Sequence, residues 1–310
     1  MQIIDAASLA ELTPYPALVD ALARGLAHPV TSPQRMHLDP TGEGDALLLM
    51  PAWRKGGLMG VKLVTAYPGN GARGLPAIAA SYTAFEQATG EVVAVLDGTE
   101  LTARRTAAAA ALGAKWLARP DARRLLIVGT GALCLPLARA HLAVLPTLSE
   151  VRVWGRVAAK AARVAGMLDV EGIAAAPAGA LADEIAAADV IVTATTAREP
   201  IIASGWVRPG AHLGLVGAFT PAMAEVDPAL LARVLLYADE RDAVLAKGGE
   251  VVQAIAARLI GPEAVLGDLA SLARGGVPVR EREAITVFKS VGFAALDLIA
   301  AELALGRLPG

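Results

Sequence analysis

Leucines at positions 9, 12, 18, 22 and 26 recur at helical spacing, and Pro14 and Pro16 fall among them. The pattern predicts two short helices with a turn at the prolines. From residue 47 to 96 the period shortens. Apolar runs at 47–50, 59–64, 78–85 and 92–96 are separated by Gly57, by Pro68-Gly69-Asn70-Gly71 and by Thr89-Gly90, the pattern of an antiparallel meander. An alanine-rich helix is expected over 101–118, with Arg104 and Arg105 in its first turns. After 120–123, read as a linker, strand-like runs at 125–128, 151–154, 190–193, 212–216 and 234–238 alternate with helical or loop segments. That rhythm predicts an α/β fold with a parallel, doubly wound sheet. A final helix over 291–305 is expected to return to the first domain.

The 310 residues suffice for about two domains. Lys plus Arg is 28 against 30 for Asp plus Glu, a net charge of −2 that offers nothing to nucleic acid or an anionic bilayer. Hydrophobic residues make up 55% and mean hydropathy is +0.51. The longest uncharged stretch, 209–224, is nevertheless broken by Gly and Pro and is shorter than the roughly 20 apolar residues of a membrane span. The start, Met1-Gln2-Ile3-Ile4-Asp5, has no basic segment followed by an apolar one, so a cytoplasmic protein is expected. A single cysteine, Cys134, excludes an internal disulfide, and the four histidines show no ligand spacing, so no metal site is expected. Any redox chemistry must come from a cofactor.

The segment 124–128 runs into Gly129-Thr130-Gly131-Ala132-Leu133-Cys134 and then a helical stretch. A strand, a tight glycine turn and a helix N-terminus are what a dinucleotide pyrophosphate requires, and Cys134 is a small residue at the third glycine position. At the end of the next strand, where an NAD site usually carries a carboxylate, the chain reads Trp154-Gly155-Arg156, with Lys160 one turn on. A guanidinium there suits a 2′-phosphate, so NADPH is expected, with NADH as the alternative.

Several segments together resemble the ornithine cyclodeaminase/mu-crystallin family: Leu101-Thr102-Ala103-Arg104-Arg105-Thr106, the glycine loop, Trp154-Gly155-Arg156, Pro209-Gly210-Ala211-His212 with Val216-Gly217-Ala218, and Phe288-Lys289-Ser290-Val291-Gly292. The resemblance implies a Rossmann NAD(P)-binding domain over 119–289. It also implies a discontinuous α+β substrate-binding and dimerisation domain from 1–118 and 290–310, whose sheet pairs across a homodimer. It places Gly129, Gly131, Ala132, Leu133, Arg156, Thr195, Val216 and Ser290 at the cofactor. Arg35, Lys62 and Arg105 match the basic residues that hold a substrate carboxylate in the family. Two arginines and a lysine converging on a cleft would be costly without an anion.

The departures narrow the activity. Ornithine cyclodeaminases carry a glutamate and an aspartate where this chain has Leu48 and Phe219, and apolar groups cannot perform their proton transfers. Leu133 replaces a glutamine common in the family. The resemblance is therefore closest to the Δ1-pyrroline-2-carboxylate (ketimine) reductases, with small cyclic imino acids as substrates. The five-membered ring would give L-proline, and Δ1-piperideine-2-carboxylate, a second substrate, would give L-pipecolate. Lys62 is expected to be either the proton donor or a further carboxylate anchor. The competing expectations are an alanine dehydrogenase or other 2-imino acid reductase, and a mu-crystallin-like NADPH-binding protein.

Overall fold

A computed structural model describes residues 1–308, and the chain separates into two compact units. Met1–Thr106 and the segment from Phe293 onward form one, and Ala107–Gly292 the other.

In the first unit, β1 (Gln2–Ile4) leads into α1 (Ala6–Leu12) and α2 (Tyr15–Leu26). The Asp5 carboxylate caps α1 by accepting from the Ser8 amide, and Pro14 precedes the first turn of α2, so the prolines separate the helices as the sequence predicts. The meander follows as β2 (Met36–Leu38), β3 (Ala46–Trp53), β4 (Leu58–Ala66), β5 (Ile78–Glu86) and β6 (Val92–Asp97), in the spatial order β1-β6-β5-β4-β3-β2. All neighbours are antiparallel except β1, which pairs parallel with β6. The sequence pattern did not resolve β1 or β2, which are three residues each and carry no alternation. Between β4 and β5, Pro68–Arg73 forms a short 3₁₀ helix where only a turn was expected.

From β6 the chain enters α3 (Gly98–Leu117), and β7 (Arg124–Val128), α4 (Cys134–Val144), β8 (Glu150–Trp154), α5 (Ala158–Val170), β9 (Ala175–Pro177), α6 (Leu181–Ala187), β10 (Val190–Thr193) and β11 (His212–Leu215) follow. Then come β12 (Leu235–Ala238), α7 (Arg241–Lys247), α8 (Gly249–Ala256), β13 (Val265–Asp268), α9 (Leu269–Ala273) and β14 (Thr286–Lys289). The eight strands are parallel, in the order β13-β12-β14-β11-β10-β7-β8-β9. The order reverses between β7 and β10, the switch point at which doubly wound sheets bind ligands. The last helix, α10 (Ala294–Leu305), packs on α2, β3 and β4 in the first unit, as expected of it. Among the described residues no helix is long and apolar enough to cross a membrane.

Three expectations change. The boundary between units falls inside α3, between Thr106 and Ala107, rather than after residue 118. The second half of α3 is anchored on β14, since Gly113 lies flat on the Phe288 ring and the Thr286 hydroxyl donates to the Leu117 carbonyl. Residues 120–123 are not a linker between units: Ala122 is buried and the Arg123 amide donates to Asp189, all within the second unit. The segment 286–289 is a fully buried central strand, and the second boundary lies at Gly292 rather than at 289. Too short for a period, β14 shows no alternation because both of its faces are covered.

Candidate active site

In the first unit, Met50, Lys62, Tyr82 and Leu96 are cross-strand partners in one row across β3, β4, β5 and β6. The row faces inward, toward α10. Lys62 therefore enters the core, where it is 1% exposed, and it is the only charged member of the row. Gly60, two residues back on the same face, leaves room for the Tyr82 ring, because a Cβ there would lie 2.1 Å from the tyrosine oxygen.

Asp297, fully buried on α10, neutralises part of this charge. Its Oδ1 accepts from Lys62 Nζ at 2.8 Å and from Arg105 Nε at 2.9 Å. Its Oδ2 and the Tyr82 hydroxyl are both buried without a hydrogen-bond partner. Burial drives the Lys62 ammonium down to about 8; Arg105 and Arg35 push the same way and Asp297 opposes them. The structure thus brings together Lys62 and Arg105, with half-buried Arg35 within electrostatic reach. Arg104, one residue away, turns elsewhere: it donates to the Thr13 carbonyl and stacks on the Tyr15 ring at 4.5 Å. Leu48 shares the inward face of β3 with Met50, so position 48 offers this cluster no carboxylate.

The second unit holds a cavity of about 480 Å³ beside the switch point. The loop from Gly129 to Gly131, Trp154 to Val157 with Lys160, and Ala194 to Arg198 line most of it. Gly129 has φ +134°, and a Cβ on it would meet the Ala194 carbonyl oxygen at 2.5 Å. Nothing lies within 4 Å of where a Cβ on Gly131 would stand, so the loop backbone faces open space there. No side chain caps the N-terminus of α4 or of α5, which leaves first-turn amides available to an anion. These features fit a dinucleotide: a cradle without side chains, two uncapped helix starts, and Arg156, Lys160 and Arg198 on the wall with no carboxylate among the lining residues.

Of the other expected cofactor residues, Thr195 lines the cavity. Ala132 and Leu133 belong to the glycine loop, and Leu133 is the N-cap residue of α4. Val216 is buried after β11, its amide bonded to the Thr193 carbonyl. Ser290 is buried with its hydroxyl donating to Asp239, whose Oδ2 also accepts from the Val291 and Gly292 amides. Ala132, Leu133, Val216 and Ser290 are not among the residues that line the cavity. Phe219 is 44% exposed after β11.

Sequence reasoning missed three residues. Arg198 lines the cavity and sits in a loop with no motif. Glu225, fully buried, accepts from the Thr193 hydroxyl and the Thr195 and Gly217 amides, each at 2.7 Å, so it ties together the chain ends leaving β10 and β11. Asp297 is the third. Its signal is an acid in the otherwise apolar first turns of a helix, where a buried charge requires a partner.

A profile of the ornithine cyclodeaminase/mu-crystallin family matches residues 6–308. The Δ1-pyrroline-2-carboxylate reductase of Paracoccus denitrificans is 41% identical over 285 residues, covering 91% of this chain and 89% of that protein. The structure of Thermococcus litoralis Δ1-pyrroline-2-carboxylate reductase in complex with NADH and L-proline superposes with a TM-score of 0.92 at 28% identity, covering 99% and 97% of the two chains. An archaeal alanine dehydrogenase dimer with bound NAD gives 0.90 at 28% identity, covering 98% and 94%.

Proposed function

The chain belongs to the ornithine cyclodeaminase/mu-crystallin family, and on that premise we propose that it reduces small cyclic imino acids with NADPH, turning Δ1-pyrroline-2-carboxylate into L-proline and Δ1-piperideine-2-carboxylate into L-pipecolate. The observation that carries this reading is the buried Lys62–Asp297–Arg105 cluster, which with Arg35 holds more positive than negative charge and has a leucine at position 48. Such a cluster receives a carboxylate, and it contains no second acid to manage a substrate's side-chain amine.

When bound, the reduced nicotinamide supplies the hydride for the imine carbon. Gly129, Gly131 and the start of α4 hold the pyrophosphate, while Arg156 and Lys160 beside the start of α5 take the 2′-phosphate. Arg105 spends Nε on Asp297, which leaves its Nη1–Nη2 edge to clasp the substrate carboxylate together with Arg35. The Lys62 ammonium donates the proton that the imine nitrogen must gain. A lysine at about 8 is poised for that transfer near neutral pH.

A homodimer is supported by the outward face of the meander. Register puts Met36, Leu38, Leu49, Met59, Val61 and Leu63 on that side, and Met36, Leu38 and Leu63 are 56%, 43% and 37% exposed. The test of function is the loss of reduced-nicotinamide absorbance with Δ1-pyrroline-2-carboxylate, compared with pyruvate plus ammonia and run with NADPH and with NADH. Faster oxidation with the cyclic imine and NADPH is expected. Preference for pyruvate plus ammonia would make the protein an alanine dehydrogenase, and no oxidation with either would make it a binding protein.

A further inference from the structure

The catalytic reading of Lys62 leaves unexplained why a carboxylate is buried against it. An anion at the heart of a site built for an anion competes with the substrate, unless it does something else. Asp297 has no exposure, lies on α10, and uses one oxygen for both cations.

We propose that Asp297 is a positioning residue for this reaction: its Oδ1 locks the Lys62 ammonium and the Arg105 guanidinium into one arrangement, and its charge keeps Lys62 protonated in the substrate-free protein. This rests on the reading of Lys62 as proton donor. The geometry supplies the first part. A lysine stem has four rotatable bonds and three donors, so a buried acceptor at 2.8 Å is what fixes one direction for it. The same oxygen at 2.9 Å from Arg105 Nε turns the guanidinium so that its other edge is the one offered to substrate.

The second part follows from the charges around Lys62. Arg105 faces it from α3 and Arg35 from the segment before β2, and both favour loss of its proton. Tyr82 on β5 is its cross-strand partner, and burial holds that phenol neutral, far above its usual range. Glu302, further along α10, is drawn to Arg54 at 3.3 Å. Among the leading influences on Lys62, Asp297 is the group that favours the ammonium, through both its charge and its hydrogen bond. Without it, desolvation and two like charges act unopposed, and Lys62 enters the reaction as an amine with no proton to give.

The test needs neither substrate nor cofactor. Lysine 13Cε and aspartate 13Cγ shifts are followed by NMR against pH in the free protein. In the wild type, Lys62 should titrate near 8, and the Asp297 carboxylate signal should step at the same midpoint as its partner loses charge. Asp297→Asn should increase the proton dissociation constant of Lys62 about tenfold or more, and Arg105→Gln should decrease it, moving the midpoint the other way. An unchanged Lys62 midpoint in Asp297→Asn would overturn the proposal. So would an Asp297 signal indifferent to the Lys62 step in the wild type, a measurement that stands even if the variant does not fold. With turnover measured alongside, Asp297→Asn should shift the alkaline limb of kcat to lower pH by the same amount. A shifted NMR midpoint without any imine reduction would leave the role of Asp297 intact and sink only the function.

Discussion

Each unit buries a lysine against a carboxylate, and the two clusters are built to opposite specifications. In the second unit, Glu225 and Glu250 outnumber Lys289, whose Nζ lies 2.9 Å from Glu250 Oε2. Glu225 spends its oxygens on a hydroxyl and two amides, and Glu250 accepts from the Glu225 amide. Three of these four bonds to the acids come from backbone amides, although Glu250 Oε2 and Lys289 Nζ have no hydrogen-bond partner, only each other's charge. In the first unit, cations outnumber the acid, the bonds run only between side chains, and Asp297 Oδ2 has no partner. A buried charge tied to backbone holds a fold together, whereas a buried excess of one sign awaits a ligand.

The sharpest way to break this comparison is to remove the lysine from each cluster. Lys62→Met should reduce kcat by roughly 10²- to 10⁴-fold, the usual worth of general acid help, and abolish the alkaline limb near pH 8. A base held below its ordinary value binds fewer protons folded than unfolded, so its burial costs stability below about pH 8 and that cost fades as pH rises toward the unfolded 10.5. At pH 7 the melting temperature of Lys62→Met should therefore stay level or rise. Lys289→Met should do the reverse. Stripping Glu250 of the cation it faces costs about 3–5 kcal/mol of stability, read as a fall in Tm, and Lys289 lies in the second unit, outside the Lys62 cluster. A loss of stability in the first variant and not in the second would reverse the assignment of the clusters.

Smaller effects sharpen it. Arg105→Ala removes one charged hydrogen bond to the carboxylate, about 1.5–3 kcal/mol in kcat/KM, and should raise KM as well as lower kcat by misplacing the imine. Arg156→Asp should weaken NADPH about tenfold or more and spare or improve NADH; equal losses would mean that Arg156 does not face the ribose. Smallest of all, L-ornithine with NAD⁺ should release no proline above background, since Leu48 and Phe219 carry no protons to move.

How much of this was legible in the sequence differs between the clusters for the same physical reason. The glycine loop, Arg156 and the strand rhythm are local: a turn, a helix start and a period are written in consecutive residues. Lys62 was visible because it breaks an apolar strand, and Arg105 through the family motif around it. Asp297 lies 235 positions from Lys62, and only the return of α10 to the first unit joins them. Glu225 and Arg198 sit in irregular segments with no period at all. β14 escaped because four residues covered on both faces show no alternation, and the unit boundary because α3 runs unbroken through it.

The central claim, hydride delivery to an imine carbon with the proton coming from the protein, is tested most directly by isotope. NADPH deuterated at the transferring C4 position is incubated with the protein and Δ1-pyrroline-2-carboxylate, and the product is analysed by mass spectrometry and NMR. L-proline carrying one deuterium at Cα is the expected result, formed by the wild type and roughly 10²- to 10⁴-fold more slowly by Lys62→Met. Proline without deuterium, or undiminished labelled proline from Lys62→Met, would contradict it.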